Sequence, residues 1–197
     1  HSFPTRRSSD LIFRQREDEM GKTDELIQYE FPPIDRMNKW GKFHSKMMLL
    51  KFPTFLRVVV PSANLTNCDW YYWGQVVWFQ DFPLKNGVKE SSDFEKYLHI
   101  VMNSMMKEYD KNKSYTRLGI ILSDYDFSNT CVDLVASSSG RHTDSKFGIT
   151  RLKHLTDNYL KKRKSNSRLI VQCSSLGRIY DRFLNDLINC FGIPKTS

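Results

Sequence analysis

Between Trp40 and Trp78 the chain carries three short β-like runs, and this stretch limits what the remaining residues can build around it. The first run leads from His44-Ser45-Lys46 into Met47-Met48-Leu49-Leu50, the second covers residues 56–60, and the third is Val76-Val77-Trp78-Phe79. Runs of this length, rich in Val, Leu and aromatics, read as strands. Side chains two apart on a strand share a face, so His44 and Lys46 are predicted to project together. The second run then delivers Ser62 and Asn64 just beyond its end.

These residue types suit one kind of chemistry. A neutral imidazole is a good nucleophile towards phosphorus, while an ammonium and a carboxamide N–H can hold non-bridging oxygens as charge builds on them. The predicted chemistry is phosphoryl transfer through a phosphohistidine. An isolated H-x-K tripeptide is common by chance, and a lone histidine beside a strand is more often structural, so the tripeptide gains meaning only from its surroundings.

Those surroundings are specific. His44-Ser45-Lys46-Met47-Met48-Leu49-Leu50, then Ser62-Ala63-Asn64-Leu65, then Asp69-Trp70, resembles in order and spacing the first catalytic motif of the tyrosyl-DNA phosphodiesterases of the phospholipase D superfamily. The resemblance implies an α/β fold, a mixed sheet flanked by helices, forming one incomplete phospholipase D-like half. It implies His44 as nucleophile with Lys46 and Asn64 on the phosphoryl oxygens. Trp40, four residues ahead of His44, matches an aromatic that stacks on a base, with a core tryptophan as the competing reading. Gln75 matches a glutamine that orients catalytic groups. Gln172-Cys173-Ser174-Ser175-Leu176-Gly177 is similar to an element whose serines bond the DNA backbone, which makes Ser174 and Ser175 substrate-binding candidates. Arg178 stands where the family commonly has serine.

The activity so implied is a DNA-repair phosphodiesterase that hydrolyses the link between a DNA 3′ phosphate and a tyrosine left by a topoisomerase. It would act in the nucleus on single-stranded or 3′-end DNA bearing a tyrosyl peptide. No metal or organic cofactor is expected, because Lys46 already brings the positive charge such a site needs.

Composition fits this reading. A net charge of +8 and a pI near 9.3 favour an anionic partner such as nucleic acid, although a solvated basic surface explains them equally. No apolar run approaches the ~20 residues that span a bilayer, so no membrane partner is expected. Cys68, Cys131, Cys173 and Cys190 form no C-x-x-C pair and are expected to be reduced, buried thiols of an intracellular protein.

Along the chain, residues 1–11 resemble a translated cloning adapter, and residues 1–30 are expected to be non-native or disordered. Residues 31–193 form the catalytic half, and 194–197 a truncated end. Ser92-x-x-Glu95 has the form of a capping box, followed at helical spacing by Phe94, Leu98, Val101, Met102 and Met105. A short helix is predicted over 117–123, and a buried strand over 131–136 runs into the turn Ser137-Ser138-Ser139-Gly140. Such a turn could cradle a phosphate, but is by itself usually only a turn. Ile149, Leu152, Leu155, Tyr159 and Leu160 mark another helix, closed by Lys161-Lys162-Arg163-Lys164. That basic run suits either a helix C-terminus or a phosphate backbone. A strand over 168–172 and a helix carrying Ile179, Phe183, Leu184, Leu187 and Ile188 follow.

Of the five histidines, only His44 has a lysine two residues on. A phosphohistidine mechanism needs a second imidazole to protonate the leaving oxygen and later activate water. Either a C-terminal half is missing from this fragment, or two copies pair across a two-fold axis. The alternatives to the repair enzyme are therefore a single-motif dimeric nuclease or phospholipase, and an inactive nucleic-acid-binding fragment.

Overall fold

The computed structural model describes residues 9–13, 27–30, 44–87, 90–105, 119–138, 142–160, 169–171 and 179–192. The chain divides into two compact units: residues 1–134 with 138–140, and residues 135–137 with 141–197. Sequence reading had placed a single half over 31–193.

The first unit is built on a five-stranded mixed sheet. Its strands are β1 (Ser9–Phe13), β2 (Ile27–Glu30), β3 (Met48–Lys51), β4 (Phe55–Pro61) and β5 (Val77–Pro83), in the order β2-β1-β3-β4-β5. β1 and β2 run parallel, and every other neighbouring pair is antiparallel. Two stretches of the segment expected to be non-native or disordered are thus strands. β1 is placed there by its register with β3, Leu11 opposite Leu49.

β3 begins at Met48, because its ladder to β4 starts at the Met48–Val59 pair. His44 and Lys46 therefore precede the strand instead of standing on it. β4 and β5 form the longest pairing, from Phe55 opposite Pro83 to Pro61 opposite Val77. Alternation sorts their side chains onto two faces.

One face buries Leu49, Leu56, Val58 and Phe82. Helix α2 (Asp93–Met105) covers it; the earlier short helix α1 (Asn67–Tyr71) lies in the β4–β5 connection. Phe94 of α2 stacks at 5.7 Å from Phe82, and Phe127 lies 4.4 Å from Phe82 and 5.9 Å from Phe94 between ring centroids. Leu98, Val101, Met102 and Met105 continue the buried stripe of α2. The capping residue is as predicted: the Glu95 N–H donates to Ser92 Oγ at 3.1 Å. The Glu95 carboxylate is buried and takes an ion pair from Lys85 at 3.2 Å, which offsets its desolvation.

The other face gathers Leu50, Phe52 and Val59, with Met48 and Phe55 packed against them. Arg57 is buried here beside its cross-strand neighbour Asp81, which accepts two bonds at 2.6 and 2.7 Å. The guanidinium also sits 4.9 Å from the Phe79 ring centroid. A charge can be buried at this place because a fork-shaped acceptor lies directly opposite.

Several local expectations change. Of the helix predicted over 117–123, the described part, residues 119–123, enters only a single 3₁₀ turn, Leu122–Asp124. Gly119 adopts a left-handed φ of 59°, and its carbonyl accepts from Lys51 Nζ at 2.8 Å, a conformation that interrupts a helix. Residues 131–136 are not a strand, and neither are residues 169–171 of the strand predicted over 168–172. Both segments are apolar enough, but neither has a neighbouring strand to bond among the described residues, and Ile170 and Val171 are exposed. Among the described cysteines, Cys68 and Cys131 are exposed free thiols and Cys190 is buried; Cys173 lies outside the described residues. The two exposed thiols lie in loop and short-helix positions that the sheet does not cover.

The second unit contains α3 (Gly148–Leu160) and α4 (Asp181–Cys190). They are joined by a Thr156 hydroxyl donating to the Cys190 carbonyl and by Cys190 Sγ against the Ile149 carbonyl at 3.6 Å. Burial pushes the Cys190 thiol pKa up. α4 ends at Gly192, whose left-handed φ of 59° lets its N–H reach the Asn189 carbonyl. No helix among the described residues is long and apolar enough to cross a membrane.

Candidate active site

His44 and Lys46 meet, although neither stands on the strand whose alternation was expected to bring them together. Lys46 Nζ lies 2.9 Å from both ring nitrogens of His44 and donates to the His44 carbonyl at 2.8 Å. A neutral imidazole has one acceptor nitrogen, so the tautomer decides which of the two takes the ammonium N–H. Burial lowers the Lys46 pKa, and the nearby Asp69 carboxylate partly opposes that shift.

Asn64 arrives from the other side of the β3–β4 pair. β4 ends at Pro61, and Ser62 continues the antiparallel pairing by donating its N–H to the Val76 carbonyl at 2.8 Å. The Val76 N–H returns a bond to Ser62 Oγ at 3.0 Å. The chain between these two residues is therefore a closed excursion with a fixed base. Inside it, Thr66 caps α1: its hydroxyl accepts from the Asp69 N–H at 3.3 Å and donates to Asp69 Oδ1 at 3.0 Å.

The remaining oxygen of Asp69 holds Asn64 twice, accepting from its backbone N–H at 2.6 Å and its side-chain Nδ2 at 2.8 Å. The backbone bond from Asn64 is the main reason the Asp69 carboxyl lies below its usual pKa, with Thr66, the Asn64 amide and the Lys46 charge adding to it against desolvation. Lys46 and Asp69 each feel the other's charge, so the lysine and the asparagine turn are electrostatic neighbours.

Gln75 closes the other end of the excursion. Its Oε1 accepts from Ser62 Oγ at 2.5 Å, which leaves its amide N–H₂ available. Ser62 is thereby tied to both Gln75 and Val76, two residues from Asn64. Trp40, Ser174 and Ser175 lie outside the described residues, as does the basic run at 161–164. Asp69 and Ser62 are positioning residues that the candidate set lacked. The signal for Asp69 was present as Thr66-x-x-Asp69, a capping-box spacing directly after the Asn64 turn. Among the described residues no group of three or more His, Cys, Asp or Glu side chains could hold a metal ion.

An imidazole, an ammonium and a braced carboxamide turn beside one mixed sheet are groups of the kind that hold an anionic centre. A family profile described as tyrosyl-DNA phosphodiesterase matches residues 8–196 of the chain. Tyrosyl-DNA phosphodiesterase 1 of Arabidopsis thaliana is 30% identical over 162 residues, 76% of this chain and 27% of the relative. The chain belongs to the tyrosyl-DNA phosphodiesterase family and spans about a quarter of the length of that relative.

Proposed function

We propose that this chain is the phospholipase D-like N-terminal catalytic part of a nuclear DNA-repair phosphodiesterase that removes tyrosyl adducts from DNA 3′ ends. A ring nitrogen of His44 attacks phosphorus, the bond to the tyrosyl oxygen breaks, and the departing phenolate takes a proton from a general acid. Water then attacks the phosphohistidine, releasing a 3′ phosphate and restoring the imidazole. Lys46 and Asn64 stabilise the non-bridging oxygens as their charge grows. Gln75, Trp40, Ser174 and Ser175 position the strand. The general acid comes from a second H-x-K, which this sequence does not contain.

The observation that carries this reading is the Lys46 ammonium lying 2.9 Å from the His44 ring nitrogens and coupled by charge to Asp69, the carboxylate that braces Asn64. The ammonium withdraws from the ring when phosphate oxygens replace it, freeing the lone pair for attack. The test is incubation with an oligonucleotide carrying a 3′-phosphotyrosine, followed by acid-avoiding mass spectrometry. The expected result is a DNA adduct on His44 that is absent from His44→Ala. Release of tyrosine that persists in His44→Ala would contradict the mechanism.

A further inference from the structure

The connection that carries Asn64 also displays four consecutive aromatic side chains to solvent. Trp70, Tyr71, Tyr72 and Trp73 are 44%, 78%, 80% and 70% exposed. Such rings are seldom left uncovered side by side without a partner. Their placement is fixed from both ends: Trp70 directly follows Asp69, which holds Asn64, and Gln75 and Val76 just beyond Trp73 are bonded to Ser62. Backbone bonds from Trp70 to Thr66 and from Tyr72 to Cys68 hold the run as the end of α1.

We propose that Trp70-Tyr71-Tyr72-Trp73 is a stacking platform for the bases of a single DNA strand whose scissile phosphate lies at His44, Lys46 and Asn64. The inference rests on the phosphodiesterase reading above and adds a base-binding subsite to it. Three observations select this occupant. The strip is continuous with the turn that offers Asn64 to an anion, so a ligand bound there has phosphate at one end and flat apolar groups at the other. The chain carries a net charge of +8, which complements a polyphosphate strand. The strip also offers aromatic rings at four successive positions, and base stacking on such rings tolerates any sequence.

The platform is tested by fluorescence anisotropy with the full chain, using a labelled ten-nucleotide thymidine strand and an abasic strand of equal length and charge. The unaltered chain is expected to bind the thymidine strand at least about fivefold more tightly than the abasic one. Tyr71→Ala/Tyr72→Ala should lose that preference while keeping its affinity for the abasic strand, and Tyr71→Phe/Tyr72→Phe should retain the preference. Because these rings are exposed, the alanine variant removes no core packing.

Equal binding of both strands by the unaltered chain overturns the proposal, as does an unchanged preference in the alanine variant. Self-association in sedimentation that the alanine variant abolishes also overturns it, by making the strip a subunit contact. The same outcome follows if anionic vesicles compete away the thymidine strand. Loss of the His44 adduct in His44→Ala reads the catalytic assignment separately, since that variant keeps the base preference if the platform is right.

Discussion

Asn64 has its position set less by the sheet than by one carboxylate. Asp69 accepts both the backbone and the amide N–H of Asn64 on one oxygen and the Thr66 hydroxyl on the other, so the turn after β4 has one geometry. Asp69→Ala frees that turn and also removes the charge that opposes the lowering of the Lys46 pKa. A misplacement of about 1 Å in a phosphoryl-holding group is expected to lower single-turnover hydrolysis of a 3′-phosphotyrosyl strand by about 10²-fold, with KM little changed. A change confined to KM would mean that Asp69 only binds substrate. The carboxyl's lowered pKa also sets a pH window. The folded value lies below the unfolded one, so the brace is fully present above the unfolded carboxylate's range and is lost only as pH falls through the lower, folded value. The Asn64 side-chain amide signals in an NMR titration are expected to move below the ordinary carboxylate range, and a midpoint within that range would refute the brace. Lys46 follows the opposite logic. Its folded pKa is lowered by burial, so between the folded and unfolded values the unfolded chain holds more protons and stability rises with pH. His44, Lys46 and Asn64 were picked out by residue type and spacing, and a cap at Asp69 was legible in Thr66-x-x-Asp69. That the same carboxylate also holds Asn64 is a hydrogen-bond geometry that only the folded turn reveals.

At the level of elements, β4 and α2 carry the first unit. Leu98 is fully buried in the face that meets Phe82 and Phe127, and Leu98→Ala is expected to destabilise the chain by about 2–5 kcal/mol in urea unfolding. Ser92→Ala removes the acceptor for the Glu95 N–H and is expected to cost about 1 kcal/mol in the same measurement. Equal losses for the two variants would show that the helix docks through its end instead of its apolar stripe. These elements were legible in the sequence because each has a local signal: a short Val- and Leu-rich run in β4, a capping residue and a 3.6-residue stripe in α2. Residues 131–136 and 169–171 carry comparable apolar content, yet they are not strands. Strand formation depends on a neighbouring ladder, and alternation along one segment says nothing about whether a partner lies beside it. β1 shows the converse. Ser9–Phe13 has little pattern of its own and is a strand because β3 offers it an edge.

For the whole molecule, the proposed reaction has two proton-transfer events while the sequence has a single H-x-K. In that proposal His44 attacks, the leaving tyrosyl oxygen and the later water each require an acid or base, and absence of such a group lowers rates by about 10²–10⁴. The chain by itself is therefore expected to release at most one tyrosine per His44, slowly, and then stall as the phosphohistidine adduct. Two completions make different predictions about what relieves the stall. If a second copy supplies the missing imidazole, the rate per chain rises with chain concentration and sedimentation shows a dimer over the same range. If a further segment of one polypeptide supplies it, the rate per chain is independent of concentration. The second outcome is the one that the proposed function expects. A concentration-dependent rate with a matching dimer would replace it with the paired arrangement. Steady turnover by the monomer at a rate comparable to its first release would show instead that some group already within these 197 residues serves as the acid.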